Sequence, residues 1–105
     1  MARDEIFRKP RELSEPFRFD GEVADVFDDM LRRSIPGYAA LAALVGVAAH
    51  RYCHEGTRAF DLGCSLGTAT LAIRHGVRNR DVHITAVDQS EAMVERCRAI
   101  LARDR

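Results

Sequence analysis

The stretch "AFDLGCSLGTATL", residues 59–71, decides how this chain folds. An apolar run ends in Asp61, a turn follows with glycines at Gly63 and Gly67, and a small-residue run of helical character comes next. Glycine costs backbone entropy wherever it sits, so two in one turn imply that something approaches the main chain closely. Outward from that turn, "TRAFDLG" reads as a short strand and "TATLAIRHG" as a short helix closed by Gly76. "DVHITAVD", rich in β-branched residues and bounded by "RNRD", reads as a second strand. "SEAMVERCRAILARDR" is a final helix with Met93, Cys97, Ile100 and Leu101 on one side. Strand, helix, strand, helix is the opening of a parallel α/β sheet.

Two helices are predicted upstream. Val23, Val26, Phe27, Met30 and Leu31 fall at i, i+3, i+4, i+7 and i+8, one amphipathic stripe, with Asp20 as its N-cap. "RSIPGY" breaks that helix, because Pro36 restricts Ile35 and Gly37 frees the backbone. A second helix then runs from about Gly37 to Tyr52, with Leu41, Val45, Ala48 and Tyr52 as its stripe and Gly56 as its C-terminal cap. Residues 1–19 mix charge with two prolines and two "FR" pairs without period, and form an arm. Residues 20–105 form the domain. A parallel sheet needs more strands than two and both faces covered, so this unit reads as part of a longer protein, with apolar surface left open on its second strand.

Sixteen basic side chains balance sixteen acidic ones in 105 residues, so no overall field draws the chain to nucleic acid or an anionic membrane. The N-terminus is charged where a signal peptide needs an apolar core, and the longest apolar run, twelve residues, is too short to cross a bilayer. Three irregularly spaced cysteines fit free thiols in a reducing compartment, so a cytoplasmic location is expected.

In open α/β sheets a ligand binds beyond the carboxyl ends of the strands, over the first strand-to-helix turn. Gly63 keeps a Cβ out of the ligand's space, Gly67 lets the helix start lie close to the sheet, and the amides around Cys64 and Ser65 are expected to point into the crevice as donors. Asp88 ends the second strand, twenty-five residues after Gly63, where a carboxylate can accept from both hydroxyls of a ribose. The two features imply an adenosine-containing cofactor. A dinucleotide fingerprint needs G-x-G-x-x-G, whereas "DLGCSLG" has two glycines and an acid two residues before the first. Asp61 repels pyrophosphate but suits the ammonium or sulfonium of S-adenosylmethionine, which favours that compound over NAD.

Plainer readings stand beside these. The glycines fit simple turn residues, and Asp88 fits a helix N-cap, since "DQSE" matches D-x-x-E. Cys64, with no histidine near it in sequence, is a small wall residue rather than a nucleophile. His50, Cys53 and His54 lack a second cluster to complete a metal site, so no metal is expected. Tyr38 is either core or a ring that closes over a ligand.

From about Phe19 onward, "FDGEVADVFDDMLRRSIPGY", "GTRAFDLGCSLGTATLAIR" and "AVDQSEAMVERCR" together resemble the N-terminal part of the carboxy-S-adenosyl-L-methionine synthase family. The resemblance implies the N-terminal part of a class I methyltransferase-like, Rossmann-like α/β fold with two preceding helices, cut after the second strand and its helix. It implies an enzyme that takes S-adenosyl-L-methionine and prephenate to carboxy-S-adenosyl-L-methionine and phenylpyruvate. The product then serves a partner enzyme that carboxymethylates a tRNA wobble uridine. It also implies a homodimer without direct nucleic-acid contact, and cofactor contacts at Tyr38, Gly63, Cys64, Ser65, Asp88 and Gln89. Gln89 stands where the family is expected to carry asparagine. The family's adenine contacts, and an arginine for the added carboxylate, are expected beyond residue 105. An ordinary S-adenosylmethionine-dependent methyltransferase, or a non-catalytic fragment that pairs with another chain, are the rival readings.

Overall fold

The computed structural model describes residues 21–104, apart from the side chains of residues 22–25. The arm at 1–19 and the proposed cap at Asp20 lie outside the described residues. Four helices and two strands follow in order: α1 (Gly21–Ser34), α2 (Tyr38–Tyr52), β1 (Arg58–Leu62), α3 (Thr68–Gly76), β2 (His83–Val87) and α4 (Glu91–Arg103). The strands pair in parallel, Arg58 opposite His83 through Leu62 opposite Val87, with α3 as the crossover. The chain is therefore an α/β unit with the expected element order.

The "RSIPGY" break behaves as its residues dictate. Gly37 adopts φ +74° at the N-cap of α2, a backbone that a side chain would strain. Two other expectations about helix ends are corrected. Gly56 does not cap α2: Cys53 does, through its N–H to the Ala49 carbonyl, while Gly56 (φ +81°) turns the chain beyond it and donates to the Asp81 carbonyl at 2.7 Å. The α2 carbonyls are closed instead by Arg80, whose guanidinium reaches the His50 and Cys53 oxygens at 2.5 and 3.0 Å, as cations do at helix C-termini. At α4 the cap is Ser90, accepting from the Met93 N–H at 3.2 Å, so Asp88 is released from that role.

The predicted stripe of α2 is also corrected. Leu41, Ala48 and Tyr52 are exposed, while Ala42, Val45, Gly46 and Ala49 face inward. A helix apolar all round carries no period to mark its buried face. Close approach decides it instead. Gly46 lies against the Ala72 carbonyl of α3, and Gly76 lies against the Gly46 backbone, so small residues take the contact and the leucines are left outside.

The core is small. Met93 of α4 is fully buried, with Val26, Phe27 and Met30 of α1 and Leu66 packed around it. Cys64, Val77 and Cys97 complete the buried apolar set with Ala49. One face of the sheet is open: Phe60, Leu62 and Val87 are 62%, 78% and 45% exposed, and the register puts all three on the same side. The exposure expected on the second strand thus falls more heavily on the first. Among the described residues no helix is long and apolar enough to cross a membrane.

The end of α4 is tied to α3 through Asp104, which accepts from Arg74 at 3.3 Å and contacts the His75 ring nitrogen at 2.8 Å. The His75 hydrogen bond, helped by Arg74, holds the Asp104 carboxyl below its ordinary value of 3.8. A lowered folded-state pKa gives stability that is full above 3.8 and lost as pH falls through the lowered value. Thermal melts of wild type and Asp104→Asn are expected to differ at pH 7 and to converge in acid. A gap that persists in acid would contradict this.

Candidate functional site

Two adjoining clefts open over the carboxyl ends of the strands, of about 500 and 240 Å³, and both are lined by Phe27, Gly63 and Ser65. Asp88 and Gln89 complete one side of the larger; Tyr38, Cys64 and Asp61 line the smaller. All six residues proposed from the sequence therefore line one or other of these adjoining clefts.

The turn that brings them there is built by backbone chemistry. Gly63 has φ +73°, and the amides of Gly63 and Cys64 both donate to the Val87 carbonyl at 2.8 Å, folding the turn over the end of β2. A Cβ at Gly63 would meet nothing within 4 Å, so this position needs glycine for its backbone angle and leaves open space above it. Ser65 is left-handed at φ +50°, unusual for a residue with a side chain, and its amide donates to Asp88 Oδ2 at 3.0 Å. The expectation that the Cys64 and Ser65 amides point into the crevice is thus corrected. Amides at strand ends take the nearest acceptors, here a carbonyl and a carboxylate more than twenty residues on.

The donors that remain belong to α3. Gly67, at its N-cap with φ +88°, has no side chain to accept from the first-turn amides, and Thr68 and Ala69 of that turn line the smaller cleft. Gly67 is also required by space, though against α4 rather than the sheet: a Cβ there would come within 2.7 Å of Cys97 Sγ.

Among the described residues the charges lining the clefts have one sign: Asp28, Asp61 and Asp88 line them, and no lysine, arginine or histidine does. Asp28 is neutralised by Arg32 at 2.8 Å, and the Arg32 guanidinium sits 6.0 Å from the Tyr38 ring centroid. Asp88 accepts the Ser65 and Ser90 amides through its two oxygens, at 3.0 and 2.8 Å. Asp61 accepts from the Thr70 hydroxyl at 2.6 Å and meets no cation among the described residues. A carboxylate at a strand end is costly without a partner, and the Thr70 hydroxyl supplies one.

Cys64 is not poised as a nucleophile. Burial first, then Cys97 and the nearby Asp61 and Asp88 charges, push its thiol up to about 11, so it stays neutral and forms wall. His50 Nδ1 lies 3.0 Å from the Gly76 carbonyl oxygen, within the α2–α3 packing. Among the described residues no cluster of three metal-ligating side chains is present.

No protein-family model matches the chain. Curated relatives do. Over 96 residues, 91% of its length, the chain is 49% identical to the carboxy-S-adenosyl-L-methionine synthase of Shewanella halifaxensis. It is 48% identical over 101 residues, 96% of its length, to the protein of that name from a Geobacter species. The same name and 48% identity over 102 residues hold for Haemophilus ducreyi. Along its own length, the chain is a homologue of carboxy-S-adenosyl-L-methionine synthases. It spans about 40% of the length of the curated synthases it matches.

The α1 wall of the clefts was not foreseen from the sequence. Phe27 lines both clefts, and Asp28, Leu31 and Ile35 line the smaller. Phe27 and Leu31 were legible only as a core stripe, because helical period shows which face is apolar and not what stands across from it. Asp28 gave one signal, its i, i+4 spacing to Arg32, which marks a neutralised charge.

Proposed function

We propose that the chain is the part of a carboxy-S-adenosyl-L-methionine synthase that cradles S-adenosyl-L-methionine, within a class I methyltransferase-like fold. The observation that carries this reading is the acidic cleft pair over the glycine turn, with no cation beside Asp61 among the described residues. A sulfonium and ammonium compound suits such a site and a pyrophosphate does not. Identity to the synthases along nearly the whole chain supports it.

The residues fit the compound. The two oxygens of Asp88 each have a lone pair left for the ribose hydroxyls after binding one amide, and Gln89 sits beside them for the ribose or adenine edge. The open space over Gly63 admits the ligand, and the uncapped start of α3 offers its amides to the ligand's carboxylate. Tyr38 closes the smaller cleft, with Cys64 as its floor. When bound, S-adenosylmethionine supplies a sulfonium that acidifies the methyl group to be carboxylated. The chain's part is to orient it and exclude water, which agrees with the neutral Cys64 thiol.

Prephenate as carboxyl donor, phenylpyruvate as co-product, service to tRNA wobble carboxymethylation, a homodimer and a cytoplasmic site complete the proposal. The 105-residue chain alone is expected to give little or no carboxylated product, because the arginine for the added carboxylate belongs to the rest of the protein. Mass spectrometry after incubation with S-adenosylmethionine and prephenate tests this. The full-length parent should yield carboxy-S-adenosylmethionine. A parent that yields none, as an ordinary methyltransferase would, overturns the reading.

A further inference from the structure

Thr70 is a polar side chain in an apolar position. It is 3% exposed, in the first turn of α3, where valine would fill the same volume and gain from burial. A helical threonine commonly turns its hydroxyl back to the carbonyl four residues earlier. Here the hydroxyl instead donates to Asp61 Oδ2 at 2.6 Å, across to the end of β1. The strand's alternation explains the meeting: Phe60 and Leu62 face the open side of the sheet, so Asp61 faces the helix side.

Asp61 lines the smaller cleft, and Thr70 is its hydrogen-bond partner among the described residues. Its Oδ2 is therefore engaged, and its Oδ1 remains an acceptor with no cation beside it among the described residues. A carboxylate in an open cleft would otherwise rotate about its last bond and hydrate. We infer that Thr70 is a positioning residue: its hydroxyl fixes the Asp61 carboxylate so that Oδ1 meets the positively charged, amino-acid end of the ligand. This inference rests on the proposed S-adenosylmethionine site and adds the residue that makes the site selective for charge.

The test compares two ligands that share adenosine. S-Adenosylmethionine carries the ammonium and sulfonium; 5′-methylthioadenosine has neither. Calorimetric titration of the full-length parent protein with each, in wild type, Thr70→Val and Thr70→Ser, separates the outcomes. Thr70→Val is expected to weaken S-adenosylmethionine by roughly tenfold while leaving methylthioadenosine unchanged, as loss of a hydrogen bond to a charged group predicts. Thr70→Ser, which keeps the hydroxyl, should restore most of the difference. The inference is overturned if Thr70→Val binds S-adenosylmethionine as wild type does, loses both ligands alike or fails to fold, or if Thr70→Ser discriminates no better than Thr70→Val. Wild type that binds methylthioadenosine and S-adenosylmethionine equally also overturns it. Wild type that binds neither overturns the proposed site itself, and this inference with it.

Discussion

Gly76→Ala is expected to destabilise the chain by about 3 kcal/mol, the upper end of what overpacking usually costs. A Cβ at Gly76 would run into the carbonyl oxygen of Gly46, with the Gly46 carbonyl carbon and Cα close behind. All three are main-chain atoms of α2, so no side-chain rotation relieves the overlap and the two helices must part. Helix propensity argues the other way, since alanine gains about 1 kcal/mol over glycine within a helix. The overlap should win, because α2 holds to the rest of the chain largely through this contact while Leu41, Leu44 and Val47 stand in solvent. Urea denaturation of the two proteins decides it. A Gly76→Ala variant as stable as wild type would mean that propensity prevails and the α2–α3 approach is looser than described.

The second large effect is at Asp88. Asp88→Asn should lower affinity for S-adenosylmethionine by roughly a hundredfold or more, from loss of hydrogen bonds to and from a charged group. The substitution is nearly isosteric, so the loss is not one of volume. The carboxylate joins two turns, taking the Ser65 amide on one oxygen and the Ser90 amide on the other. An asparagine offers one oxygen, and its NH₂ would face an amide that is itself a donor. One turn is then released. If it is the first, Ser65 loses the bond that holds it at φ +50°, a backbone costing on the order of 1 kcal/mol or more. Ligand binding therefore suffers both directly, at the ribose, and through the shape of the turn. Calorimetry on Asp88→Asn with unchanged affinity would remove Asp88 from the site.

Much of this was legible in residues 59–71 because that stretch contains its own causes. An apolar run, an acid, two glycines and a run of small helix formers specify strand, turn and helix locally, and "DVHITAVD" supplies a partner strand from its β-branched residues. Gly63, Cys64, Ser65, Asp88 and Gln89 line two adjoining clefts because strand ends and the turns after them share an edge of the sheet, and Tyr38 joins them from the start of α2. What failed to be legible depends on atoms distant in sequence. The acceptors of the Gly63, Cys64 and Ser65 amides are Val87 and Asp88. The buried side of α2 is chosen by Gly76, and the partner of Asp61 is concealed in "TATL", which reads only as helix. The wall that α1 provides is a matter of which helix crosses the cleft, and no single-helix pattern records that.

The two-stranded sheet also has outer margins. β1 and β2 hydrogen-bond to each other, and the opposite margin of each presents main-chain N–H and C=O groups that no strand among the described residues takes up. Such rows act as templates for any extended segment, reading backbone rather than side chains. The apolar patch of Phe60, Leu62 and Val87 demands greasy neighbours, whereas these margins demand only straight ones. Whatever completes the sheet is thus selected twice, by independent criteria, and a substitution that spoils one leaves the other intact.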